Sequence, residues 1–152
     1  MQKAIIADAS CIILFHKIDF LFILNALFGT VVITTEILLE FGEPLPAFFH
    51  IQNPGNINFQ RLIEKSIDKG EASAIALAVE LAGSLLIIDD LKGRKFAQKI
   101  GLNITGSLGI LLEAKLSGII ASVKPILVEI HKTNFRITQE LEEKILKRAG
   151  EL

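Results

Sequence analysis

Cysteine is almost missing from this chain. Cys11 stands alone among 152 residues, so no intrachain disulfide can form and no cysteine-based zinc site is spelled out. That scarcity points to the reducing cytoplasm. An excess of one charge is missing too. With 16 basic and 17 acidic side chains the formal net charge is −1. Such a balance gives no general pull toward nucleic acid, so any such role must come from a local patch or a bound cation. Long hydrophobic runs are also lacking. Residues 20–35 (FLFILNALFGTVVITT) carry no charge but are interrupted by Asn25 and Gly29, and they fall short of the roughly 20 residues of a membrane span. They read as a buried helix and a buried strand with the break at Phe28-Gly29, so no membrane role is expected. The opening MQKAIIADAS sets an acid, Asp8, inside its first apolar stretch, against the pattern of a secretory signal. No internal repeat and no low-complexity segment is visible.

What is there is a globular composition. Apolar residues make up 51%, enough for one buried core, and charged residues 22%, so the chain is not of the disordered class. Short β-rich runs alternate with longer helical stretches, the pattern of βαβ units around a parallel sheet. Strands are expected at 3–7, 31–33, 85–88 and 102–105, with a short edge strand at 48–51. Helices are expected after Ser10 and at about 18–27, from Thr34 or Thr35 to 41, and at 59–67. Gly70 is read as a separator before EASAIALAVELA, which is apolar nearly all round and so buried on most sides. Further helices follow at about 92–100, 107–117, 122–132 and 138–149, the last with acids first and bases last. Residues 43–58 hold three of the four prolines and form the loosest region. The whole, residues 1–152, reads as one α/β domain.

In open parallel sheets, ligands bind beyond the carboxyl ends of the strands. Asp8 follows the first strand, and Asp89 and Asp90 follow 85–88. Glu36 and Glu40 share a helix face after the second strand, and Glu71 opens the buried helix. Each has a plain alternative: helix cap, solvated turn, exposed face or first-turn acid. Together they propose carboxylates converging at one sheet edge. There a hard divalent cation relieves the repulsion, lowers the pKa of a bound water and stabilises charge on a phosphodiester. Lys92, Arg94, Lys95 and Lys99 form the densest basic stretch. They could touch phosphates, or form a solvated helix face. His16, His50 and His131 are scattered, Cys11 reads as core, and Gly106 and Gly109 suggest tight packing of a helix.

The ordered set IIADASCIIL, VVITTEILLEF, GEASAIALA, LLIIDDLKGRKFA and ITGSLGILLEAK resembles the PIN-domain ribonucleases, and within them the DUF3368-type PIN-like proteins related to VapC-like toxins. The resemblance implies a three-layer α/β/α, Rossmann-like sandwich with a parallel sheet of four to five strands. It implies a Mg²⁺- or Mn²⁺-dependent endoribonuclease acting on single-stranded or loop RNA, and the toxin half of a toxin–antitoxin pair. Carried over by position, the acids are Asp8, Glu40, Glu71 and Asp89, with the adjacent Asp90 as a further candidate metal ligand. Ser10 is a candidate to hydrogen-bond water at the site. A small antitoxin and a second copy of the chain are the expected protein partners. The alternative of another class is a PIN-like regulatory module that keeps the acids and does not cut. A haloacid-dehalogenase-like reading needs an acid where Ser10 stands. A receiver-domain reading needs one at His50-Ile51-Gln52.

Overall fold

The computed structural model describes residues 3–152. Five strands form one parallel sheet: β1 (Ile5–Ala7), β2 (Val31–Ile33), β3 (Phe49–Ile51), β4 (Leu85–Ile87) and β5 (Asn103–Thr105), in the order β3-β2-β1-β4-β5. Parallel strands covered on both faces must be apolar throughout. Ile5, Ile6 and Ala7 of β1 are accordingly all buried, as are Leu86 and Ile87 of β4.

Nine helices fill the connections among the described residues: α1 (Ala9–Lys17), α2 (Phe22–Phe28), α3 (Thr35–Phe41), α4 (Ile57–Ile63), α5 (Lys69–Glu80), α6 (Leu91–Lys99), α7 (Ser107–Leu116), α8 (Lys124–His131) and α9 (Gln139–Arg148). The sheet lies between helical layers, a three-layer α/β/α sandwich. On one side α5 rests on β1 and β4 and packs with α3 and α4; elsewhere α7 packs with α2 and α9. Residues 70–78 of α5 are all buried, as its continuous apolar surface requires. Residues 20–35 divide between α2 and β2 at Gly29, whose φ is +74°. No helix among the described residues is long and apolar enough to cross a membrane.

Local chemistry sets the boundaries. Thr34, Asn56, Asp68, Asp90 and Thr138 each accept a hydrogen bond from a first-turn N–H of the helix they precede. Two expected helices shift as a result. The one placed at 59–67 starts at Ile57 because Asn56 caps it. Gly70 is not a separator but lies in the first turn of α5, which Asp68 starts two residues earlier. The helix placed at 18–27 begins only at Phe22: Ile18 closes α1, and Asp19 turns the chain with a φ of +62°. The second strand spans Val31–Ile33 as expected, the other strands are one or two residues shorter than expected, and the edge strand β3 is present.

The segment after α9 is fastened by a buried carboxylate. Glu151 accepts from the backbone N–H groups of Val123 (2.8 Å) and Lys124 (3.0 Å), from the Ser122 hydroxyl and from Lys115 Nζ (3.0 Å). It therefore caps the N-terminus of α8, where the helix dipole favours an anion. Burial pushes its pKa up, but these hydrogen bonds outweigh it and hold the group down at about 2. Replacing Glu151 by Ala leaves four partly buried or exposed donors without their acceptor and is expected to cost about 1 kcal/mol of unfolding free energy at neutral pH. The stabilisation is complete above the ordinary pKa of 4.5 and is lost as pH falls toward 2. Urea titrations should show wild type and Glu151→Ala converging over that interval; a constant gap would refute the linkage.

Candidate functional site

The strand order places the carboxyl ends of β1 and β4 side by side at the centre of the sheet. The connections leaving β1 and β4 lead to opposite halves of the sheet, the position where open α/β sheets form a crevice. Asp8 begins there, and its N–H donates to Ile87 O of β4 (2.9 Å). Asp8 occupies the N-cap position of α1 in extended backbone, yet its side chain caps nothing. It is 2% exposed, and its Oδ1 has no hydrogen-bond partner. Glu71, 7% exposed in the first turn of α5, leaves Oε1 equally unpartnered.

The other acids close in from neighbouring elements. A Cβ added to Gly70 would lie 3.0 Å from Glu40 Oε1 and 3.7 Å from Asp68 Oδ1, so both carboxylates converge over that glycine. At Gly93 in α6 the added atom would lie 2.9 Å from Glu71 Oε1. Glycine at both positions leaves the space these groups occupy. A buried Thr34 Oγ1–Ser73 Oγ hydrogen bond (2.6 Å) ties the start of α3 to α5, fixing Glu40 against Asp68 and Glu71. Asp89 is held on both oxygens: Oδ1 accepts from Ser107 N (2.8 Å) and Oδ2 from Ser107 Oγ (2.6 Å). Asp90 is exposed and caps α6 by accepting from Gly93 N (3.0 Å). Glu36 turns aside to pair with Lys69 (3.6 Å).

This arrangement is electrostatically costly. Burial, together with the charges of Glu40, Asp68 and Asp89, raises Asp8 to about 7 against the lowering effect of a backbone hydrogen bond at Ala9. Burial, a side-chain hydrogen bond with Asp68, and the charges of Asp8, Asp68 and Asp90 raise Glu71 to about 9. Glu40 is raised by burial and by Asp68. Asp89 is raised by burial, with Ser107 and the Arg94 guanidinium pulling back. Among the described residues no ion pair reaches Asp8, Glu40, Asp68, Glu71 or Asp89.

A hard cation suits such a set: all donors are oxygens, and two are buried with no partner. Among the described residues no three His, Cys, Asp or Glu side chains meet closely enough to form a ready coordination shell. The acids therefore supply some of the oxygens of a shell and not all of it. That fits an ion of the Mg²⁺ kind, which takes one or two carboxylates and completes its shell with water and substrate oxygens.

Asp68 was not among the candidates read from the sequence. Its spacing to Glu71 is that of a capping box, which could have marked it, but only the fold turns it toward Glu40. The expected basic contacts divide. Arg94 is half-buried and donates from Nη1 to Ile88 O (2.8 Å), beside Asp89. Lys92, Lys95 and Lys99 are exposed and line a separate cavity with Ser66, Ile67, Phe96 and Gln98. Ser10 is exposed and lines a cavity with Lys17, Asn134 and Phe135 in which none of the acids takes part. Cys11 is core. His16 and His131 are exposed beside Glu43 and Glu142.

A family model described as a PIN domain, DUF3368, matches residues 4–151. No curated protein matches the chain.

Asp8 and Glu71 keep protons in the folded chain that the unfolded chain has lost. Without a cation, stability should therefore fall as pH rises from 3.8 to about 9. Asp8→Asn removes part of that slope. In EDTA the variant should be more stable than wild type by about 1–4 kcal/mol near pH 8 and nearly equal to it below pH 3.8. Parallel stability curves would show that Asp8 is not buried among acids.

Proposed function

The chain belongs to the PIN-domain family, whose members are in general nucleases that use divalent metal ions, and we propose that it is a Mg²⁺- or Mn²⁺-dependent endoribonuclease acting on single-stranded or loop RNA. One observation carries the reading. Asp8 Oδ1 and Glu71 Oε1 are buried at the β1–β4 crevice with neither a hydrogen bond nor a counter-charge. A buried, unpaired acid is expensive, and such groups persist where they serve chemistry.

In this reading Asp8 and Glu71 would hold the cation, with Glu40, Asp68 and Asp89 deepening the negative field around it. When bound, a divalent ion supplies an activated water and charge to stabilise a phosphodiester during attack. The chain's own part is to position and to exclude. Ser107 clamps Asp89 in one orientation. Arg94 offsets part of its charge. The apolar ends of β1 and β4 keep bulk water from beneath the acids, which strengthens each electrostatic contact. Asp90 serves as a helix cap, which leaves it the weakest of the proposed ligands.

One observation favours the second reading, a module that keeps the acids but cuts weakly or not at all. Asp89 already uses both oxygens on Ser107. The proposal extends to the toxin half of a toxin–antitoxin pair with a small antitoxin partner, and to a reducing, cytoplasmic setting. What supports the former is family likeness, and the latter the lone buried Cys11. Exposed apolar side chains such as Phe22, Leu39, Leu62 and Leu116 are consistent with a homodimer.

Purified protein should degrade single-stranded RNA with Mn²⁺, lose that activity in EDTA, and lose about 100-fold or more with Asp8→Asn. Equal rates for wild type and variant would assign the activity to a contaminant and end the nuclease reading. Mn²⁺ should also raise the thermal midpoint of wild type, more near pH 8 than near pH 5, because ligands must shed protons to bind. Asp8→Asn should lose most of that shift.

A further inference from the structure

Beyond Asp89 the crevice opens into a cavity of about 510 Å³ between α6, β5, α7 and α9. Four cations line it: Arg94, Arg136, Lys144 and Arg148. Lys144 and Arg148 stand four residues apart on one face of α9, and Arg136 comes from the segment leading into that helix. These three are exposed, and none pairs with an acid of the described residues. Phe135 adds an aromatic ring to the wall. Asp89 is the only acid in the lining. A chain of net charge −1 thus gathers unneutralised positive charge beside its buried carboxylates.

We infer that this cavity holds the backbone of single-stranded RNA, with Arg136, Lys144 and Arg148 on phosphates and Phe135 under an unstacked base, so that the strand runs from the acids toward α9. Cations along a groove with an aromatic platform are the combination that binds single strands without sequence preference. The direction rests on the nuclease reading; the binding does not. Gly106 keeps the junction open. A Cβ there would fall 2.8 Å from Asp89 Oδ1 and 2.9 Å from Arg94 Nη1, in the gap between the acid site and the groove. The lysine face of α6 belongs to a different cavity, without Asp89, and so does not carry the strand. Glu151, by fastening the segment after α9 to α8, maintains the outer wall.

The probe is a fluorescein-labelled single-stranded RNA of about 12 nucleotides, titrated with the full chain in EDTA, where no cleavage occurs. The triple variant Arg136→Ala, Lys144→Ala, Arg148→Ala should weaken binding by tenfold or more. Its slope of log K against log salt should be shallower by about 2, since each contact to a single strand contributes about 0.7. All three side chains are exposed, and circular dichroism checks that the variant folds. Arg136→Lys with Arg148→Lys, which keeps the charge, should bind within a few-fold of wild type. Lys92→Ala with Lys95→Ala and Lys99→Ala should leave the salt slope unchanged. Wild-type affinity and slope in the first triple variant would overturn the inference, as would transfer of the loss to the α6 lysines. It would also be overturned if the first triple variant changed only the sedimentation of the protein, which would make the patch a protein interface. Absence of cleavage in Mn²⁺ would remove the nuclease reading and leave this binding result standing.

Discussion

The parallel pairing of β1 with β4 is the constraint from which the rest of the molecule follows. It registers Ala7 against Ile87, so Asp8 lies level with Ile88, and Asp89 follows one residue further along the same edge. A parallel sheet buried on both faces leaves that edge facing a crevice of low polarity. Carboxylates there cannot be solvated as they would be on a surface, and their charges add. The raised pKa values of Asp8, Asp89 and the neighbouring Glu71 are one consequence seen from three positions, while Glu40, exposed on α3, is raised by partial burial and by Asp68. The glycines at 70 and 93 are another, since the space beside the acids is filled by carboxylate oxygens instead of Cβ atoms.

Much of this was legible in the sequence because the relevant signals are local. Short β-rich runs ending in acids mark strand ends, and the nearly continuous apolarity of residues 71–82 marks a helix, which is buried over residues 70–78. What was not legible depends on tertiary contact. Asp68 looks like a helix cap and is one; that it also faces Glu40 follows from the packing of α3 on α5. Arg136, Lys144 and Arg148 are ordinary surface charges in sequence, more than 40 residues from Asp89, and only the docking of α9 on α7 brings them beside it. The α6 lysines show the converse: they follow Asp89 closely in sequence but line another cavity. The late start of α2 turned on the single backbone angle of Asp19, where composition gives a weak signal.

The acids act against stability, and the fold offsets them locally. Beneath them lie the fully buried side chains of Ile6, Leu86, Ile87 and Ile88, and beside them the Thr34–Ser73 hydrogen bond. Burial of an aliphatic side chain contributes about 1.5–3 kcal/mol, comparable to the cost of one strongly raised carboxyl. Asp89 is treated differently from Asp8: it receives two hydrogen bonds from Ser107 and a nearby guanidinium, while Asp8 Oδ1 receives nothing. Two acids at neighbouring strand ends therefore differ in how they are held. One is satisfied and fixed, the other left with unused bonding capacity.

That division explains why opposite charges lie so close together in a nearly neutral chain. A polyanion cannot approach a pocket of buried carboxylates without help, because like charges repel across a low-dielectric gap. In the proposed reading a cation among the acids would cancel that repulsion locally and would do nothing for phosphates further along a bound strand. Fixed arginines and lysines beyond Asp89 would act on those. Asp89 sits where the two regions meet, restrained by Ser107 and facing Arg94 across Gly106. Net charge averages the two regions to almost nothing, so composition alone gives no sign of either.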